Sequence, residues 1–135
     1  MKTELTIEES AKLIDLGVDP NLASMVSWKQ TEDWQRKSVL DNKEHLTLKP
    51  FRPMVMGFER FDCKDIFTLT DILLILPKEI LVENRPEPIS IYWNGKEKGW
   101  SAYYPFASTP KIVEPELIDS LYQLLIWTIE NKVYG

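Results

Sequence analysis

The sequence has 135 residues, of which 44% are hydrophobic and 27% charged, and its formal net charge at pH 7 is −5. This composition is typical of a soluble globular protein, and the length predicts a single domain spanning residues 1–135. The longest apolar run, residues 72–77, is far below the ~20 residues of a membrane span, so no membrane association is expected. No segment is a basic patch, so nucleic-acid binding is not expected either.

Cysteine and histidine are scarce in this chain, and the paired carboxylates at residues 8–9 and at 114 and 116 suit the first turns of helices. Cys63 and His45 are its only cysteine and histidine, and they cannot supply the usual zinc ligand sets or an internal disulfide. No glycine-rich phosphate loop is present, and no secretory signal is visible in "MKTELTIEES". We therefore predict a cytoplasmic protein that is not an enzyme, with no catalytic residue, metal, cofactor or identifiable small-molecule substrate.

The first predicted element is a helical hairpin over residues 7–26. Thr6 and Glu9 form a capping box, and Gly17 suits the position just after a helix. Asp19 and Pro20 are typical of an N-cap and a first helical residue, which predicts a second short helix. A helix, a glycine turn and a second helix can also form a DNA-binding helix-turn-helix, so a small DNA-binding regulator is the alternative function. Two lysines against five acids in residues 1–27 oppose that alternative.

The middle of the chain gives weaker signals. Residues 28–66 sustain neither a helical nor a strand period, which predicts a long irregular excursion of unknown purpose with one edge strand at residues 54–58. The segment "FTLTDILLILP" then predicts a short, mostly buried helix that includes Leu73. Thr68 and Asp71 resemble its capping box, and Pro77 ends it.

A β-hairpin is predicted at about residues 88–105. The segments "ISIYW" and "GWSAYY" are rich in β-branched and aromatic residues, alternate with period two and flank an Asn-Gly turn signal. Residues 111–113 are compatible with a short third strand. One face of the hairpin should carry Ile89, Ile91, Trp93, Trp100, Ala102 and Tyr104, and the other Ser90, Tyr92, Ser101 and Tyr103.

The segment "ELIDSLYQLLIWTIENK" predicts a long C-terminal helix that starts near Pro115 and ends at about Lys132. The apolar face of the hairpin is expected to pack on this helix through Leu121, Leu125 and Ile129. The predicted fold class is therefore α+β: a small antiparallel β-meander packed against a long C-terminal helix and short N-terminal helices.

One residue of the long helix conflicts with its amphipathic pattern. Trp127 lies at about 180° from the centre of the apolar arc, among polar residues. Two interpretations remain open: another part of the chain covers Trp127, or the side chain anchors an interface. Together with Tyr92 and Tyr103 on the outer face of the hairpin, it forms the predicted interaction surface. The sequence leaves open whether that aromatic face binds a ligand.

Four parts of the sequence resemble a group of small uncharacterised proteins encoded by phages and prophages of gut Bacteroidales. They are "LTIEESAKLIDLGVDPNLASM", "FTLTDILLILPKEI", the aromatic hairpin and "ELIDSLYQLLIWTIEN". The resemblance implies an origin in a phage or mobile element of a host such as Bacteroides, and a bacterial cytoplasm. It brings no catalytic motif. We therefore expect a non-enzymatic phage or prophage protein that acts through contact with an unknown protein partner or with a second copy of itself.

Overall fold

The computed structural model describes residues 1–37, 41–49 and 60–133. Its helices are α1 (Ile7–Asp15), α2 (Glu32–Gln35), α3 (Leu69–Ile75) and α4 (Leu117–Glu130), with a 3-10 turn at Pro20–Leu22. Its strands are β1 (Met25–Gln30), β2 (His45–Leu48), β3 (Phe61–Ile66), β4 (Glu79–Val82), β5 (Arg85–Pro88), β6 (Ser90–Asn94) and β7 (Gly99–Tyr103). The pairings are antiparallel, so the predicted α+β class is confirmed. None of the helices in these ranges is long and apolar enough to cross a membrane.

A three-stranded sheet in the order β2-β1-β3 forms where an irregular excursion was predicted. The prediction for residues 28–66 was therefore wrong, while the edge strand predicted at residues 54–58 lies outside the described residues. β3 reads "FDCKDI", and its three charged residues conceal the alternation that usually marks a strand. The strand forms because β1 pairs with it over six residues, with Val26 buried at the centre of the sheet.

The N-terminal segment contains one helix and not two. The capping box of Thr6 and Glu9 is present at the start of α1, and Gly17 takes a φ of 109° after its end, as predicted. The second predicted helix is only the Pro20–Leu22 turn, and residues 25 and 26 already belong to β1. The helical hairpin over residues 7–26 was wrong because strand pairing on both sides of β1 outweighs the local cap signal at Asp19.

Contacts distant in sequence attach the first residues of the chain to the rest of the fold. The backbone of Leu5 donates to the carbonyl of Phe67 at 2.9 Å, immediately after β3. The Lys2 ammonium donates to the carboxylates of Glu9 at 2.9 Å and Asp119 at 2.7 Å, and so links α1 to α4. The segment before α1 therefore closes over both the three-stranded sheet and the C-terminal helix.

The predicted hairpin is confirmed as β6 and β7, and the paired residues 90–94 and 99–103 divide between its two faces as predicted. A second hairpin, β4 and β5, was not predicted; Glu83 and Asn84 both take positive φ in its two-residue turn, as a type I′ turn requires. The suggested third strand at residues 111–113 is reduced to an isolated bridge between Trp100 and Glu114.

The core lies between α4, α3 and the hairpin. Ala102 and Tyr104 of the predicted apolar face are buried with residues of α4, and the Ser120 hydroxyl donates to the carbonyl of Trp100. The prediction that the whole hairpin face packs on α4 holds for β7 but not for β6, where Ile91 and Trp93 stay exposed. The fully or almost fully buried large residues include Leu13, Phe67, Ile72, Tyr104, Ile118, Leu121, Leu124 and Leu125.

Candidate interaction surfaces

An apolar groove runs between α3 and the start of β6. α3 buries Ile72 in the core but turns Leu73 and Leu74 outward, and the Leu74 residue is 75% exposed. The groove has a volume of about 320 Å³. Its lining is almost wholly apolar and consists of Thr70, Leu73, Leu74, Leu76, Pro77, Lys78 and Ile89.

β6 continues this apolar surface beyond the groove. Side chains alternate along a strand, so Ile91 and Trp93 share one face of β6. Ile89, which lines the groove, immediately precedes this strand. Trp93 is 50% exposed, and its ring meets that of Trp100 edge to face at 5.5 Å. We call Leu73, Leu74, Ile89, Ile91 and Trp93 the α3–β6 surface.

The α3 part of this surface was not predicted from the sequence, although one signal was present. Leu73 was assigned to the mostly buried helix but is 40% exposed. Leu74 follows Thr70 by four residues, so it shares a helical face with a polar residue. Contiguous exposed apolar patches are often functional in a monomer.

Tyr92 and Tyr103, two of the three residues of the predicted interaction surface, lie on the opposite face of the hairpin. Both are exposed, and their ring centroids are 5.9 Å apart in an edge-to-face arrangement. They line a second groove of about 270 Å³ beside residues 109–112. At its rim, Lys111 pairs with Glu97, which raises the pKa of the lysine. A role for these tyrosines in binding stays a prediction.

Trp127, the third residue, is separated from the two tyrosines. It is partly buried against the core, and its ring lies 6.4 Å from that of Tyr104 with an interplanar angle of 30°. Tyr104 is buried at the end of β7 and donates its hydroxyl to the carbonyl of Pro77 at 2.6 Å. Burial raises the pKa of Tyr104 to about 12. Part of the Trp127 ring is thus covered by its own chain, which corresponds to the first of the two interpretations.

We expect Trp127→Ala to lower the free energy of unfolding by about 2 kcal/mol, less than the ~3–5 kcal/mol typical of a fully buried tryptophan. The loss follows from removing the ring that packs on Tyr104, so the mass of the protein in solution should not change. Denaturant unfolding and analytical ultracentrifugation of parent and variant measure both quantities. A variant with unchanged stability but a smaller assembly would instead place Trp127 in an interface.

The single cysteine and the single histidine of the chain are not paired with each other. His45 stacks on Trp28 at 4.5 Å, and its Nε2 lies 2.8 Å from the Asp41 carboxylate, whose pKa this contact lowers. Cys63 is opposite Trp28 on β3, so β1 separates it from His45. Burial, with the nearby carboxylates of β3, raises the pKa of the Cys63 thiol, which disfavours the reactive thiolate.

The described ranges contain neither a clustered metal site nor a recognition helix at residues 20–22. No group of three or more histidine, cysteine, aspartate or glutamate side chains that could hold a metal ion occurs there. The proposed recognition helix of a DNA-binding motif is the three-residue Pro20–Leu22 turn, which is too short to lie along a major groove. The DNA-binding alternative therefore lacks the element on which it was based.

Comparisons with known proteins identified no relative of this chain. A scan against protein-family models, a search of curated proteins and a search of solved structures found no match for this chain.

Proposed function

We propose that this protein is not an enzyme and acts through contact with another protein, and that the α3–β6 surface is the contact. The observation that carries the proposal is the exposure of Leu74 and Trp93 beside an apolar groove. Exposed tryptophan next to apolar pockets is a common composition of binding hot spots.

The lining of the groove favours a protein partner over a small molecule. Small-molecule sites combine an apolar pocket with several convergent polar groups that fix the orientation of the ligand. Only Thr70 and Lys78 are polar in this lining. An apolar side chain of a partner needs no such groups, because the gain comes from removing apolar area from water.

The setting of this contact is proposed from the sequence resemblance alone. A likeness to phage and prophage proteins of gut Bacteroidales supports a phage or prophage role in the cytoplasm of a bacterial host. The partner would then be another phage protein or a protein of that host.

The proposal can be tested by affinity capture from host cells with three forms of the protein. The double variant Leu74→Ser/Trp93→Ser makes the α3–β6 surface polar at two exposed positions. The control is Leu22→Ser, which changes an exposed leucine in the Pro20–Leu22 turn. Exposed substitutions of this kind usually change stability by no more than about 0.5 kcal/mol, so all three forms should stay folded.

We expect the parent and Leu22→Ser to retain the same partner and the double variant to lose it. Binding of the identified partner to each purified form, followed by calorimetry, gives the quantitative comparison. Retention of the same proteins with equal affinity by all three forms would refute the proposed contact.

A further inference from the structure

The outer edge of β2 is an open backbone edge. In an antiparallel ladder, directly opposed residues alternate between hydrogen-bonded and non-hydrogen-bonded pairs. Lys49 donates its N–H to the carbonyl of Ser24 at 3.0 Å, so the pairs of Thr47 and His45 with β1 are also of the hydrogen-bonded kind. The N–H and C=O groups of Leu46 and Leu48 therefore point away from β1.

The two outer edges of the three-stranded sheet differ in whether another segment covers them. At the end of β3, the backbone of Leu5 donates to Phe67 and that of Leu69 donates to Thr3, each at 2.9 Å. Residues 3–5 thus cover that end of the edge. No strand in residues 1–37, 41–49 and 60–133 pairs with the outer edge of β2.

The side chains of β2 do not protect its edge. Natural edge strands are commonly guarded by lysine, proline or a bulge. β2 instead carries Leu46 and Leu48, which are 40% and 67% exposed and lie on the same face. Leu46 also borders a cleft of about 410 Å³, whose apolar lining includes Leu5, Ile7 and Ile66. An added strand would satisfy the backbone edge and cover both leucines.

We propose that this edge pairs with β2 of a second copy of the chain, antiparallel, with the two-fold axis at Thr47. Hydrogen-bonded partners must both direct their backbone groups outward, which restricts Leu46 to Glu44, Leu46 or Leu48 of the partner subunit. When Leu46 pairs with Leu48 of the partner subunit, the symmetry also pairs Leu48 with Leu46 of the partner subunit. The exposed leucines are then opposite each other on both sides of the axis. The two sheets then form one continuous sheet in the order β3-β1-β2-β2-β1-β3.

The charges beside β2 favour this register over its neighbours. A two-fold axis at Leu46 would place Lys43 opposite Lys49 of the partner subunit, and like charges directly opposite are destabilising. An axis at His45 would place Leu46 opposite a glutamate and leave Leu48 uncovered. With the axis at Thr47, Lys49 meets His45 of the partner subunit, and both already have a carboxylate partner, Asp65 and Asp41.

The first test compares Leu48→Pro with Leu48→Ala. The proline removes the outward N–H of residue 48, which the second copy needs. It removes no hydrogen bond to β1, because this N–H points away from β1. Edge strands tolerate proline at such positions. The alanine keeps the N–H and loses only the leucine side chain. Leu22→Ala serves as the control, because it truncates an exposed leucine away from β2.

By sedimentation equilibrium, we expect the parent and Leu22→Ala to approach twice the monomer mass as concentration rises. Leu48→Ala should dimerise with a dissociation constant raised on the order of tenfold, as for an interface residue of moderate contribution. Leu48→Pro should remain a monomer. A monomeric parent at every soluble concentration, or a dimer that survives Leu48→Pro, would overturn the proposal.

A second variant fixes the position of the two-fold axis and does not depend on the folding of the proline variant. In the background Cys63→Ser, Thr47→Cys places two cysteines opposite each other in a non-hydrogen-bonded pair, with Cα atoms ~4.5 Å apart, which suits a disulfide. We expect rapid cross-linking on mild oxidation, and none for Leu22→Cys in the same background. Equal cross-linking rates for the two positions would contradict the register. Neither test changes a residue of the α3–β6 surface. The outcome for the dimer is therefore independent of the outcome for the proposed function.

Discussion

Replacing Leu125 with alanine should lower the free energy of unfolding by about 2–5 kcal/mol. Leu125 lies in the middle of α4, is 2% exposed and belongs to the buried cluster that also contains Tyr104 and Ile72. Its truncation removes apolar contacts and leaves a cavity that the surrounding core cannot fully close. Denaturant-induced unfolding, monitored by circular dichroism, gives the midpoint and the slope for each variant.

The matched control for this prediction is Leu74→Ala, the same chemical change on the exposed side of α3. Because Leu74 is 75% exposed, its loss should change stability by no more than about 0.5 kcal/mol. If both variants had the parent's midpoint, α4 would not be part of the core, and the packing of β7 against it would be wrong.

Asp71→Ala should have an effect of similar size, about 3–5 kcal/mol, through lost hydrogen bonds and not lost apolar area. The Asp71 carboxylate is buried at the start of α3 and accepts three hydrogen bonds through Oδ2. The donors are the backbone of Ser24 at 2.9 Å, the Ser24 hydroxyl at 2.8 Å and the backbone of Thr68 at 2.9 Å. Alanine would leave these donors without their acceptor, and would separate α3 from the segment before β1.

Glu9→Ala provides the comparison, because Glu9 holds the same position in the capping box of α1 but lies nearer to solvent. Its loss removes the cap and the ion pair with Lys2, and should cost on the order of 1–2 kcal/mol. Asp71→Asn keeps one acceptor oxygen, and its loss of stability should lie between those of the two alanine variants. Equal losses for Asp71→Ala and Glu9→Ala would mean that the contact with Ser24 adds no more than this partly exposed ion pair does.

Elements with local signals were predictable from the sequence. The capping boxes of α1 and α3 and the alternation of β6 and β7 each depend on residues within about one turn or one hairpin of each other. β1 and β3 were missed because each is stabilised by a partner more than thirty residues away. Lys29 opposite Asp62 is an example: each reads as a solvated charge until the two strands are paired.

The exposed surfaces were also difficult to predict, because they depend on contacts between elements that are distant in sequence. The exposure of Ile91 and Trp93 depends on where α4 lies over the hairpin, which no local pattern specifies. The bridge of Glu114 to Trp100, with hydrogen bonds of 2.6 and 3.0 Å, attaches the residues just before α4 to the far edge of β7. α4 therefore begins over β7 and leaves β6 uncovered. The contact between the rings of Trp127 in α4 and Tyr104 after β7 likewise links two elements that are separate in sequence.

The contacts of Lys2 have a consequence for the order in which the protein folds while it is being synthesised. Its ammonium pairs with Asp119, and its backbone N–H donates to Glu116 at 2.9 Å, so both partners are translated more than a hundred residues later. Translation at about 5–20 residues per second separates these events by several seconds, during which the first segment cannot take its final position. Lys2 would stay without these two partners, and exposed to solvent, until α4 has emerged.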